Sequence, residues 1–292
     1  MTRAPQAVRL GVQAVLAVLL LYGLVALRDL MAAWGLSPWA VAVVVLWCAV
    51  AALGWPLLRA MPSRGRFAVL VGAAMVLRVG FGLLSVHRTS GGDPNSYLEL
   101  AKNLLDRHQL GIWEPWFGGY WRALFPPLYP LLLAGWGAVA GLSTESLLTF
   151  NTLIDAAAAL LIWRIGDRVG DTEAEVGAGA GRGAAWLYLI WPSALFSAPL
   201  AQKESLVVLL VLALVLVWLR VGPQGGKRWR DAAKIGALAG LLALTQPGEA
   251  PLAALFGFAM IGRMRLWRIV ATGLRAAPFA ILALLPWWVR NA

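Results

Sequence analysis

Asp93 lies in the stretch HRTSGGDPNSYLELAKNLL, residues 87–105, behind Gly91 and Gly92 and ahead of Pro94. A carboxylate in such a setting can take a proton from an acceptor hydroxyl or amine. The two glycines leave backbone room for another molecule to approach. Further along, Arg122 precedes Pro126 and Pro127. A cation near a carboxylate suits a displacement in which one group receives the proton and the other stabilises a departing anion. Two more cations, Lys203 and Arg290, and one more acid, Glu204, stand at the borders of apolar runs. Asp93 also has a plainer reading, an N-cap with Pro94 as the first helical residue. Glu204 likewise reads as a first-turn charge complementing a helix dipole.

The elements that must position these residues are apolar. The chain has 292 residues, is 60% hydrophobic and 13% charged, and its mean hydropathy is +0.73. A soluble domain carries about a quarter charged residues. Apolar runs long enough to cross a bilayer recur, so the expected fold is an all-α, multi-pass transmembrane bundle. Expected spans cover residues 8–27, 38–58, 67–86, 145–163, 184–201, 204–221, 234–246, 249–262 and 269–288. The break TQPGE, residues 245–249, leaves 234–262 readable as two short helices or one broken one. Residues 1–66 then hold two N-terminal helices, and 67–292 form the main module. The first run is longer than a signal-peptide core and is read as an uncleaved helix. Cys48 is the single cysteine, which excludes an intramolecular disulfide and a thiolate metal cluster. His87 and His108 lack zinc-ligand spacing, and no metal site is expected. A divalent ion shared by Asp93 and Glu204 is compatible with the sequence but not demanded by it.

The net charge of +11 falls between apolar runs. It reads as loop charge facing anionic lipid, not as a nucleic-acid surface. The segment PPLYPLLLAGWGAVAGL, residues 126–142, decides the orientation. If it spans, Lys and Arg divide 7 inside to 16 outside; if it is re-entrant or interfacial, they divide 16 inside to 7 outside. The second arrangement is expected, with the N-terminus cytoplasmic and the C-terminus outside. The loop 87–125 and the corners AQKES (201–205) and TQPGE then share the outer face. Trp113, Trp116, Trp121, Trp287 and Trp288 lie at that level as an aromatic belt, some of them available to stack on a sugar or prenyl chain. From Pro94 onward the spacing predicts an amphipathic interfacial helix, with Tyr97, Leu98, Ala101, Leu104 and Leu105 on its apolar face. Arg78 and Asp155 fall roughly 14–17 Å deep at about 1.5 Å per residue. Buried charges at such depth pair, so an Arg78–Asp155 ion pair or a network through Asn151 is expected.

The order of motifs resembles the GT-C superfamily of polyprenyl-phosphate-sugar-dependent glycosyltransferases, closest to bacterial relatives of protein mannosyltransferases and aminoarabinose transferases. The matching pieces are the Arg78 helix, GGDPNSYLELAKNLL, FPPLYPLLLAG, NTLIDAAAALLIWRIGDRVG, IWPSALFSAPLAQKESLVVLL, GALAGLLALTQPGEAPL and LPWWVRNA, covering about residues 67–292. The resemblance implies that Asp93 is the catalytic base of an inverting transfer, from a polyprenyl-monophosphate-linked sugar to a lipid, glycan or protein acceptor. It implies a bacterial inner membrane and an outward-facing site. Arg122, Lys203, Glu204, Tyr97 and Arg290 are the expected donor-phosphate and substrate contacts, and at least two of the cations Arg122, Lys203 and Arg290 are expected within about 10 Å of Asp93. Phe125, not a basic residue, directly precedes Pro126, and Gln246 stands where the family often has Arg. The competing readings are a lipid-carrier flippase or transporter, and a non-catalytic membrane subunit.

Overall fold

A computed structural model describes residues 49, 52, 64–85, 92–122, 124–172, 180–221, 229–261 and 264–291. The chain divides into two units, Met1–Gly54 and Trp55–Ala292. The expected span 8–27, the expected span 38–58 apart from residues 49 and 52, Cys48, His87 and Gly91 lie outside the described residues.

The second unit is mostly helical. In chain order it contains α1 (Arg64–Ser85), α2 (Asp93–Arg107), strands β1 (Ile112–Glu114) and β2 (Gly119–Trp121), and α3 (Leu128–Ala140). There follow α4 (Thr144–Thr172), α5 (Ala180–Leu189), α6 (Pro192–Ser197), α7 (Glu204–Val221), α8 (Trp229–Thr245), α9 (Leu252–Ala259) and α10 (Leu266–Asn291). Among the described residues, three helices are long and apolar enough to cross a membrane: α4 over Thr144–Val169, α7, and α10. Their sequences carry few ionisable residues over about 18 positions or more, the length a hydrocarbon core requires.

Helix α3 lies in the segment 126–142, the expected re-entrant or interfacial piece; it has 13 residues, about 20 Å at 1.5 Å per residue, short of a core of about 30 Å. Two expected spans are changed in form. The 184–201 run is interrupted after α5, because Pro192 removes a backbone donor and opens the short α6. The 249–262 run contains only the eight-residue α9. A 3-10 turn at Pro247–Glu249 separates α9 from α8, which settles 234–262 as two helices.

Helices α8 and α10 pack closely. A Cβ on Gly236 would overlap the Ala276 carbonyl, and one on Gly240 would meet Ala283 and Ala280. The GALAG spacing thus provides a small-residue groove that lets two backbones touch, as small-xxx-small seams do in membranes. The matched levels, 236 with 276 and 240 with 280, make α8 and α10 parallel. The connection 246–265 therefore returns along the bundle, and Gly257 of α9 lies against Trp218 and Ile269.

Helix α1 runs antiparallel to α4, with Arg78 at Asp155 and Gly82 at Leu148. Arg78 and Asp155 form an ion pair whose side chains are both fully buried. Arg78 also donates to the carbonyls of Leu189, 3.2 Å, and Ala194, 2.8 Å. These carbonyls lie at the broken α5–α6 junction, where helix ends leave acceptors without intrahelical donors. Tyr188 donates to Asp155 at 2.6 Å. One arginine therefore closes the helix break. Asn151 makes no hydrogen bond to this cluster; its contacts, with Tyr129, Ala198 and Leu200, lie about one turn along α4.

Candidate functional site

The helix that carries Asp93 begins one residue earlier than its sequence pattern suggests. Gly92 is the cap residue, with φ 79°, and its carbonyl accepts from the N–H groups of Asn95 (3.0 Å) and Ser96 (3.4 Å). A positive φ is what glycine supplies at no steric cost. Asp93 is thus the first helical residue and not the cap, and Pro94 follows it. Its carboxylate sits in the first turn, where a helix dipole favours negative charge. The side chain is 66% exposed.

Lys203 approaches Asp93 from the other side, with Nζ 4.0 Å from the carboxylate. Its ammonium also donates to the Tyr97 hydroxyl at 2.8 Å. Tyr97 lies one turn below Asp93 on α2. Its ring is buried and makes edge contacts with Phe125 at 5.2 Å and Tyr129 at 5.4 Å between centroids. Burial raises the Tyr97 phenol above its ordinary 10.0, while the Lys203 hydrogen bond and charge act in the opposite direction. Tyr97 therefore stays a neutral phenol whose oxygen accepts from the ammonium. The aromatic cluster fixes the phenol, and the phenol fixes the lysine.

Lys203 is positioned from its own chain as well. It precedes α7, and its carbonyl accepts from Val207 N–H at 2.9 Å. The corner leading to it is held by Asn151, whose Nδ2 donates to the carbonyls of Ala198 (2.9 Å) and Leu200 (2.7 Å). Tyr129 completes the link by donating to Asn151 Oδ1 at 3.4 Å. Asn151 is a positioning residue for this corner. Its place in NTLID, within a long apolar helix, was the sequence signal of a buried polar role. Glu204 is exposed in the first turn of α7, beside Lys203.

Arg122 and Arg290 lie elsewhere. Both line a cavity of about 620 Å³ together with Leu104, His108, Leu244 and Trp287, and Asp93 is not among its walls. Asp93 opens α2 and Leu104 lies 11 positions along it, about 17 Å at 1.5 Å per residue. Among the described residues, Lys203 is the cation that makes an ion contact with Asp93, at 4.0 Å; Arg122 and Arg290 line the other cavity. Arg290 is engaged otherwise, donating to the carbonyls of Arg122 (2.9 Å) and Leu110 (2.7 Å) and stacking over Trp287 at 4.9 Å. The two carbonyls flank the β1–β2 hairpin.

Among the described residues, no group of three or more His, Cys, Asp or Glu side chains could hold a metal ion. The chain matches no protein-family model, no curated protein and no solved structure. What the site can do must come from its own chemistry. An exposed carboxylate and a fixed ammonium about one ligand atom apart can take a proton and hold an anion in the same event.

Proposed function

We propose that this protein is an inverting glycosyltransferase of GT-C type, with about nine spans. In this reading it moves a sugar from a polyprenyl-monophosphate carrier to an acceptor at the outer face of a bacterial inner membrane. The observation that carries the reading is the Asp93–Lys203 arrangement at the bundle end, 4.0 Å apart, with Lys203 tied to Tyr97.

Asp93 accepts the proton of the acceptor hydroxyl or amine as that atom attacks the anomeric carbon. The bond between that carbon and the phosphate oxygen breaks, and its electron pair leaves on the polyprenyl phosphate. Lys203 neutralises the charge that develops there. Phosphate is already a good leaving group, so the step needs no second carboxylate as acid. Attack from the face opposite the leaving group inverts the anomeric centre. Tyr97 keeps Lys203 aimed, and Glu204 borders the same opening. Arg122 and Arg290 line the cavity beside Leu104 and His108 and take no part in this step.

The test uses the full chain in lipid nanodiscs with a polyprenyl-phosphate sugar and a panel of hydroxyl and amine acceptors. Transfer or hydrolysis of the donor is expected, and Asp93→Asn is expected to lower it by at least about 10²-fold in a folded protein. Full activity in Asp93→Asn removes the base from the mechanism. Donor movement across vesicles without turnover would instead identify a lipid-carrier flippase, and neither outcome would leave a non-catalytic subunit.

A further inference from the structure

The β1–β2 hairpin is the most aromatic exposed element among the described residues. Its register pairs Ile112 with Trp121, Trp113 with Tyr120 and Glu114 with Gly119. The pleat turns Ile112 and Glu114 inward, where both are buried, and leaves Trp113 outside. A 3-10 turn at Pro115–Phe117 carries the tip, and Gly118 reverses the chain at φ 60°. Trp116 is 91% exposed at this tip, and Phe117, Tyr120 and Trp121 are exposed beside it. Soluble surfaces rarely present so many large aromatic groups together.

We propose that this hairpin is a membrane anchor whose tip inserts into the headgroup layer of the bilayer. Two independent features specify a lipid surface. First, the root of the hairpin is fastened to the end of a membrane-length helix. Arg290, in the last turn of α10, donates to the carbonyls of Leu110, two residues before β1, and Arg122, directly after β2. Helix α10 is long and apolar enough to span a bilayer, and its last turns carry Trp287 and Trp288, residue types that collect at the membrane–water boundary. The clamp therefore holds the hairpin at that boundary. Second, the exposed side carries tryptophans, a phenylalanine, a tyrosine and Arg122, while Glu114, its one acid, is turned inward. A sugar-binding face needs side-chain carboxylates or amides to satisfy hydroxyl groups; a headgroup layer accepts tryptophan N–H, tyrosine O–H and arginine. The anchor works independently of the transfer reaction, and it fixes the loop between α2 and α3 against the lipid.

The test places a nitroxide at Phe117→Cys, and separately at Trp116→Cys, in a Cys48→Ala background in nanodiscs. Collision with oxygen and with a water-soluble nickel complex reports depth. The expected depth is about 5–10 Å below the phosphate level at both positions, as for other interfacial anchors. A label at Glu99→Cys, on the exposed polar face of α2, should read as aqueous. Arg290→Ala should return the hairpin labels toward the aqueous value. Depths at 116 and 117 equal to that at 99 would overturn the proposal. So would aqueous labels that become shielded only when an oligosaccharide is added, which would make the hairpin a glycan platform.

Discussion

Replacing Arg78 by methionine keeps the volume of the side chain and removes its charge and its donors. The structure specifies what is then left behind. The Asp155 carboxylate stays fully buried with the hydroxyls of Tyr188 and Ser205 as its remaining donors. The Leu189 carbonyl loses its side-chain donor at the α5–α6 break, and the Ala194 carbonyl keeps only Ser197 Oγ at 3.4 Å as a side-chain donor. Removing one partner of a buried pair costs about 3–5 kcal/mol, most of it the uncompensated charge. For a unit of this size, each kcal/mol moves the melting temperature by about 2–4 °C, so a fall of about 6–20 °C is expected. The double change Arg78→Met with Asp155→Leu removes both charges and should recover part of the loss. The Leu189 carbonyl still lacks its side-chain donor, at about 1 kcal/mol, so the double variant should still melt below the parent. Tryptophan fluorescence melting in one detergent gives all three values, with size-exclusion profiles confirming folded protein. A loss below about 1 kcal/mol in Arg78→Met, or a double variant no more stable than the single, would refute a structural pair.

Asn151→Leu should release the Ala198–Leu200 corner and let Lys203 drift. Displacement of about 1 Å can cost about 10²-fold in rate, so transfer should fall steeply while donor KM changes little; an unchanged rate would remove Asn151 from the positioning role. Tyr97 gives a pH signature. Its folded phenol is held above 10.0 by burial, so the unfolded chain loses this proton first as pH climbs. Stability from this group is complete below that value and declines above it, and Tyr97→Phe should flatten the melting-temperature profile on the alkaline side.

Apolar length and charge depth were readable in the sequence, because both follow from residue type and helix rise. Helix α7 begins at Glu204 and ends at Val221, where the apolar run itself begins and ends. Arg78 and Asp155 had only depth to connect them, and depth sufficed because a buried charge has few partners to choose from. The irregular parts were harder to read. The 184–201 run is apolar throughout, so hydropathy passes over the break at Pro192, although the proline was in view. The hairpin escaped because IWE and GYW are three-residue strands, too short for a period-2 pattern to stand out. The shift of the cap from Asp93 to Gly92 is one residue, yet it alters the role of the carboxylate. The contact of Lys203 with Asp93 and Tyr97 joins residues more than 100 positions apart, and no local pattern specifies it.

Helix direction connects these observations to orientation. Because α8 and α10 run parallel, Thr245 and Arg290 lie toward the same end of the bundle. Arg290 reaches Leu110 and Arg122 there, and Lys203 reaches Tyr97 and Asp93. The starts of α2 and α7, the hairpin root and the end of α10 thus belong to one end. The same directions send Arg164, Arg168 and Arg182 to the opposite end, at the close of α4 and the opening of α5. Arg220 closes α7, Arg230 and Lys234 open α8, and Arg265 and Arg268 stand at the opening of α10. A bundle whose basic residues crowd one end is expected to keep that end in the cytoplasm. In the proposed reading, the end with Asp93 then faces outward, where a lipid-linked donor would meet an acceptor that has already left the cell interior. Helix α3, which is too short to cross, is what makes this arrangement consistent. Were it a full span, every later helix would reverse, and the end of α10 could not reach the loop that follows α2.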